Sequence, residues 1–284
     1  MVKSFLRAGA DGAALTLTEL SEDYALTYER KMAKVQDYSN FTRRAQYTAE
    51  TATGPPAEAL LSSCGLLPTQ PAGSVILDNA CGAGVVTARL MEGGGSRNKE
   101  LGVVCGDLDQ TMVDLVAQRI KENRWQAKAE RLDAQSVPYD DNYFTHVLMN
   151  FGPQLMSDPK TYRVLRNEGR IGFTCWTKPG WILSVQEAVP SFTPPPFMSS
   201  PWCDPDAIRS NLKTIGFSEV SVKTLEFRTN EEDIEGYLEL MKLLLSKVLV
   251  GKNADGYDKL MRAKYGRGEM GMDWQALVVS AVKP

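Results

Sequence analysis

The chain has 284 residues, 43% hydrophobic and 24% charged, enough to bury a sizeable core in one large domain or a domain with a cap. Its 32 Lys+Arg against 35 Asp+Glu leave a net charge of −3 with no basic run, which speaks against nucleic acid or an anionic membrane as partner. One histidine, His146, and five cysteines (Cys64, Cys81, Cys105, Cys175, Cys203) without CxxC spacing disfavour a metal site, a Ser-His-Asp hydrolase and a disulfide scaffold, and read as the reduced thiols of an intracellular protein.

The first seventeen residues lack the sustained apolar core of a signal peptide, so a cytoplasmic location is expected. Tyr24, Tyr28, Met32 and Val35 recur at spacings of four, four and three, on one face of a helix over Ser21 to Val35. Ser39 can cap a second helix through Phe41, Ala45 and Thr48, and Pro55-Pro56 open a third that stops at Gly65. Leu66 to Gly73 reads as a linker, which makes residues 1–73 an N-terminal helical appendage.

The period then changes. Ser74 to Asp78 is a short apolar run, Asn79 to Gly84 a Gly-rich turn, and Val85 to Met91 a helical pattern. The unit recurs as Leu101 to Asp107 with Thr111 to Glu122, then in the strands Glu130 to Asp133, Tyr143 to Met149 and Arg170 to Trp176. Ser218 to Phe227 and Gln275 to Val282 alternate like strands, separated by a helix from Glu231 to Val250 and a polar segment around Tyr257 to Gly271. The apolar part of that helix, Tyr237 to Val250, holds Glu239, Lys242 and Lys247 and is too short to span a bilayer, so it reads as a buried or cap helix. The expected fold is α/β: a doubly wound, seven-stranded, mostly parallel Rossmann-like sheet whose last strand can enter antiparallel. The expected division is an appendage over 1–73, an α/β core over 74–230, a helical cap over 231–271 and a final core strand over 272–284.

Ligands of such sheets sit at the carboxyl ends of the strands, which here end in Asp78, Asp107, Asp133 and Asn150. The turn Asp78-Asn-Ala-Cys-Gly82-Ala-Gly84 offers two positions where a ligand can approach the backbone without a Cβ in the way. Thr87 replaces the third glycine of a dinucleotide fingerprint, and Asp78 would repel a pyrophosphate, which disfavours a nicotinamide oxidoreductase. S-adenosylmethionine, with an ammonium and a sulfonium but no phosphate, fits that acid better. Asp107, twenty-three residues after Gly84, suits the ribose hydroxyls; Asp133 with Ala134 suits the adenine amino group, and Met112 can cover the ring.

The strings VILDNACGAG, VVCGDLDQTM, RLDAQSVPYDDNYFTHV, GFSEV and LVVSAVKP resemble the ordered motifs of class I S-adenosylmethionine-dependent methyltransferases. DNACG, CGDL, YFTHV, the FGPQ turn and the Trp176/Trp181 pair are similar to fungal secondary-metabolite methyltransferases of the gliotoxin-pathway amide N-methyltransferase type. The resemblance implies S-adenosylmethionine as cofactor, a small-molecule substrate and methylation of a metabolite, at nitrogen by preference and otherwise at sulfur or oxygen. It implies cofactor contacts at Tyr28, Asp78, Ala80, Gly82, Gly84, Asp107, Leu108, Met112, Asp133, Ala134 and Asn150, and substrate contacts at Tyr24, Phe41, Phe151, Gln154, Trp176 and Trp181. No catalytic base is assigned: His146 sits about 13 Å from its strand end and reads as a core histidine. A methyltransferase fold recruited for regulation or a non-methylating rearrangement is the alternative, since fold does not determine chemistry. Three features depart from the pattern: Ala80 where glycine is usual, Thr145 in place of an acid, and a short segment from Asp158 to Leu165.

Overall fold

A chain that alternates short apolar runs with amphipathic helices can satisfy its backbone only by laying the runs side by side and covering both faces. The computed structural model, which describes residues 6–8, 14–16, 43–153, 161–195, 198, 200–246 and 248–284, does so with one seven-stranded sheet. Strands β1 (Leu6–Ala8) and β2 (Ala14–Thr16) form a separate antiparallel pair that the sequence reading did not foresee. The helix expected over Ser21 to Val35, with Tyr24 and Tyr28, lies outside the described residues, as do Ser39 and Phe41.

The main sheet contains β3 (Val75–Asn79), β4 (Gly102–Asp107), β5 (Lys128–Arg131), β6 (Phe144–Asn150), β7 (Leu165–Lys178), β8 (Ser218–Asn230) and β9 (Gly271–Val282). Their order is β5-β4-β3-β6-β7-β9-β8, and β9 alone runs opposite to the other six. The chain winds outward from β3 to β5 and returns to β6 on the other side of β3, so strand order reverses there and a crevice opens at the carboxyl ends. Asp133, expected to end β5, falls in the turn just after it. At the amino end of β6 the register with β7 slips between Phe144 and His146, while on the side of β3 Thr145 Oγ1 accepts from Val75 N and donates to Val75 O, both at 2.9 Å.

Helix α1 (Arg43–Ser63) is continuous through Pro55 and Pro56, where the sequence reading placed a break between two helices. Two backbone bonds are lost to the prolines. Gly54 lacks the Cβ that crowds the helical region before a proline, and the next turn is locked by Ala57, Leu60 and Leu61, all fully buried on the sheet. Helices α2 (Val85–Glu92) and α3 (Gln110–Asn123) share that face, with Leu90 and Val116 packing over Ile76, Val103 and Leu148. On the other face Ile208 and Leu212 of α5 (Pro205–Ile215) meet Leu77, Val147, Phe173 and Val279.

A third apolar cluster forms the cap from α4 (Trp181–Ala188), α6 (Ile234–Leu244) and α7 (Lys252–Gly266). The helix expected to run from Glu231 to Val250 thus spans only Ile234–Leu244, and most of the segment read as polar, within the expected helical cap, is α7. Helix α7 reads as polar because its buried face is a stripe of two residues four apart, Tyr257 and Met261.

Candidate active site

Strands β3 to β7 are parallel, so their terminal residues collect on one edge. Asp78, 1% exposed, turns one carboxylate oxygen to Thr87, accepting from its N–H at 3.1 Å and its hydroxyl at 2.7 Å. The other oxygen, Oδ1, is buried with no partner, and so are both polar atoms of the neighbouring Asn79 side chain. Burial pushes the Asp78 carboxyl up to about 7 against the two Thr87 hydrogen bonds, with Asp107 adding to the rise.

The turn that follows is built from left-handed residues: Ala80 at φ 53, Gly82 at φ 53 and Gly84 at φ 82. Ala80 therefore carries about 1–2 kcal/mol of strain that glycine at this place would not. A Cβ on Gly84 would lie 2.5 Å from Val116 Cγ2, whereas one on Gly82 would meet nothing within 4 Å, so the space above Gly82 is an open cradle. The turn is tied to β4 by Cys81 N donating to Gly106 O and Gly82 N donating to Asp107 Oδ2 at 2.8 Å. Asp107 Oδ1 accepts from Asp109 N at 3.0 Å, and burial raises the Asp107 carboxyl despite these bonds. Leu108 beside it is 58% exposed, an apolar side chain standing at the carboxyl edge of the sheet. Met112 and Ala134 are buried, and Asp133 Oδ1 accepts from Gln135 N at 2.8 Å.

On the β6 and β7 side, the Asn150 amide is engaged by protein: Oδ1 accepts from Thr174 Oγ1 at 2.7 Å and Nδ2 donates to Thr53 O of α1 at 3.2 Å. Phe151, at φ 64, stacks on Trp176 with ring centroids 3.8 Å apart, and Trp176 lies 5.1 Å from Trp274, which stacks on Phe227. This aromatic wall was only half visible beforehand: Phe151 and Trp176 were expected, but nothing local marks Trp274 or Phe227. Trp181 packs against Phe192 in the cap. Thr51 of α1 donates to Glu231 at 2.8 Å, and burial raises that carboxyl.

The structure thus gathers Asp78, Ala80, Gly82, Gly84, Asp107, Leu108, Asp133 and Asn150 along one edge with Phe151 and Trp176 adjoining. Tyr24, Tyr28, Phe41 and Gln154 lie outside the described residues, as does the start of the Asp158 to Leu165 segment. Sequence reasoning missed Gln46, Glu50 and Arg119 behind the turn, although the i,i+4 spacing of Gln46 and Glu50 is a signal for one shared face. His146 is at the opposite edge, its Nδ1 2.9 Å from Thr145 Oγ1, beside a cavity of about 540 Å³ that includes Cys64, Arg166 and Arg170 in its lining.

A methyltransferase-domain family model matches residues 76–171. The acetylaranotin bis-thiomethyltransferase of Aspergillus terreus is 31% identical over 213 residues, 71% of this chain and 74% of that protein. The chain belongs to the class I S-adenosylmethionine-dependent methyltransferases. The alternative of a nicotinamide oxidoreductase gives way to it. Methyltransferase tpcH of Aspergillus fumigatus is 27% identical over 259 residues, 80% of this chain and 91% of its own. The fold of this methyltransferase is similar to that of Haemonchus contortus phosphoethanolamine N-methyltransferase 2, at 16% identity and a TM-score of 0.51 over 93% of this chain and 58% of that one. Among the described residues no helix is long and apolar enough to cross a membrane.

Proposed function

We propose that this methyltransferase acts on a small, largely apolar secondary metabolite and methylates it at sulfur or nitrogen. The observation that carries the reading is the junction of two surfaces at the sheet switch point: a polar cradle over Asp78, Gly82 and Asp107, and an aromatic wall of Phe151, Trp176 and Trp274. The residues present suit S-adenosylmethionine. Asp78 Oδ1 is a buried acceptor without a donor, which an ammonium would satisfy, and the cradle over Gly82 admits a chain close to the backbone. Asp107 would hold the ribose hydroxyls, Leu108 would cover apolar ring surface, and Asp133 with Ala134 would meet the adenine edge. When bound, the cofactor supplies an activated sulfonium methyl.

The chain's own task is then alignment and exclusion of water, which together can account for most of a barrier of this kind. The aromatic wall orients a flat or apolar acceptor, and α1 and the cap close over the edge through Thr53–Asn150 and Thr51–Glu231. A thiol or an amine requires no strong base, which agrees with a wall of aromatic carbon. The thiomethyl chemistry in the name of the Aspergillus terreus relative puts sulfur first; nitrogen, preferred on the sequence resemblance, comes second.

The test is incubation with methyl-labelled S-adenosylmethionine and three matched probes, an aromatic thiol, a secondary aromatic amine and a phenol. Label is expected on the thiol and, more slowly, on the amine. Label that never leaves the cofactor pool, with S-adenosylhomocysteine binding intact, would favour a non-methylating role.

A further inference from the structure

The Gly-rich turn is also held from behind, by residues that neither Asp78 nor Asp107 touches. Gln46 and Glu50, one turn apart on α1, and Arg119 on α3 converge on Ala83, the residue between Gly82 and Gly84. Gln46 Nε2 and Arg119 Nη1 each donate to the Ala83 carbonyl at 3.4 Å. Glu50 binds both donors: Gln46 Nε2 reaches Oε1 at 3.2 Å, and the Arg119 guanidinium forks onto both carboxylate oxygens, with 3.2 Å to Oε2. The two charged side chains are only 12% and 9% exposed, and they join helices whose residues are 69 apart in sequence.

Stability is a poor reason for such a pair, because buried ion pairs are often replaced by apolar residues without loss. Geometry offers a better one. The Ala83–Gly84 peptide is followed by Gly84 at φ 82 and comes one residue after Gly82 at φ 53, so only the Cβ of Ala83 resists its rotation locally. Two long donor contacts to one carbonyl add little energy but restrain its direction. Resting on the cofactor site proposed above, we infer that Gln46, Glu50 and Arg119 are positioning residues that clamp the Ala83 carbonyl and so hold the turn in the shape the methionyl end of the cofactor needs. The clamp also ties α1, which packs on the sheet face, to the turn.

The experiment uses the full chain, with S-adenosylhomocysteine as probe in calorimetric titration, thermal unfolding of the free protein, and amide exchange at Gly84, whose N–H donates to Cys81 O at 2.9 Å. Glu50→Leu/Arg119→Met removes the pair without leaving a buried charge, and Gln46→Leu removes one donor while keeping the pair. Both variants are expected to unfold near the wild-type temperature, to show faster Gly84 exchange without ligand, and to bind more weakly, by about tenfold for the double variant and about threefold for Gln46→Leu. Dissociation constants within about twofold of wild type in a folded variant, with unchanged Gly84 exchange, overturn the clamp and leave the cofactor site standing. If the double variant does not fold, Gln46→Leu decides; if neither folds, the cluster is a stability element and the clamp is wrong. A wild-type chain that binds no S-adenosylhomocysteine removes the cofactor site and the clamp together.

Discussion

Asp78→Asn should make the free protein more stable at pH 8 while weakening its grip on the cofactor. The carboxyl is 1% exposed, and its burial moves it from 3.8 to about 7, with one oxygen unpaired. A folded value above the unfolded one means that the folded chain holds the proton longer, so wild-type stability falls as pH rises from about 4 to 7 and stays low above that. At ~1.36 kcal/mol per pH unit that loss is about 4 kcal/mol at most. Asparagine keeps an acceptor for Thr87 and removes the charge, at a cost of about 1–3 kcal/mol for an amide left without a partner. The balance is about 1–3 kcal/mol in favour of the variant at pH 8, or roughly 3–8 °C in melting temperature for a chain of this size. Calorimetric scans of both proteins from pH 5 to pH 8.5 measure it. The gain should shrink or reverse toward pH 5, where Asp78 is protonated, and S-adenosylhomocysteine should bind the variant at least tenfold more weakly at pH 8. A melting difference that does not change with pH, or a variant less stable than wild type at pH 8 but not at pH 5, would refute the reasoning.

Asp107→Ala removes a carboxylate that accepts from Gly82 and Asp109 and is placed to take ribose hydroxyls; the dissociation constant for S-adenosylhomocysteine should rise roughly tenfold to a hundredfold by titration. Gly84→Ala forces a Cβ to 2.5 Å from Val116 at φ 82 and should cost about 2–4 kcal/mol in denaturant unfolding. Gly82→Ala meets open space, so it should cost only about 1 kcal/mol of stability yet lose cofactor binding more than tenfold. His146→Gln should lower stability near neutral pH without selectively slowing turnover. Burial holds the imidazole down to about 4, so the wild type loses stability as pH falls from 6.5 through 4, and the variant should lack that acid sensitivity in pH-dependent melting.

What could be read from the sequence is what contiguous residues encode. The alternation of strand and helix, the acids that end β3 and β4, the left-handed glycines of the turn and the strand character of β8 and β9 all follow from local period and turn chemistry. Three-dimensional packing decided the rest. Propensity breaks a helix at Pro55-Pro56, yet the burial of Ala57, Leu60 and Leu61 outweighs two missing hydrogen bonds and carries α1 through. The polar pattern of Tyr257 to Gly271 hides a helix because only the folded cap supplies a partner for Tyr257 and Met261. Glu50 with Arg119, and Trp176 with Trp274, are separated by dozens of residues or more, and no local signal names such partners. Their meeting depends on strand order and helix placement. Those are settled by the summed burial of the whole chain and not by any one segment of it.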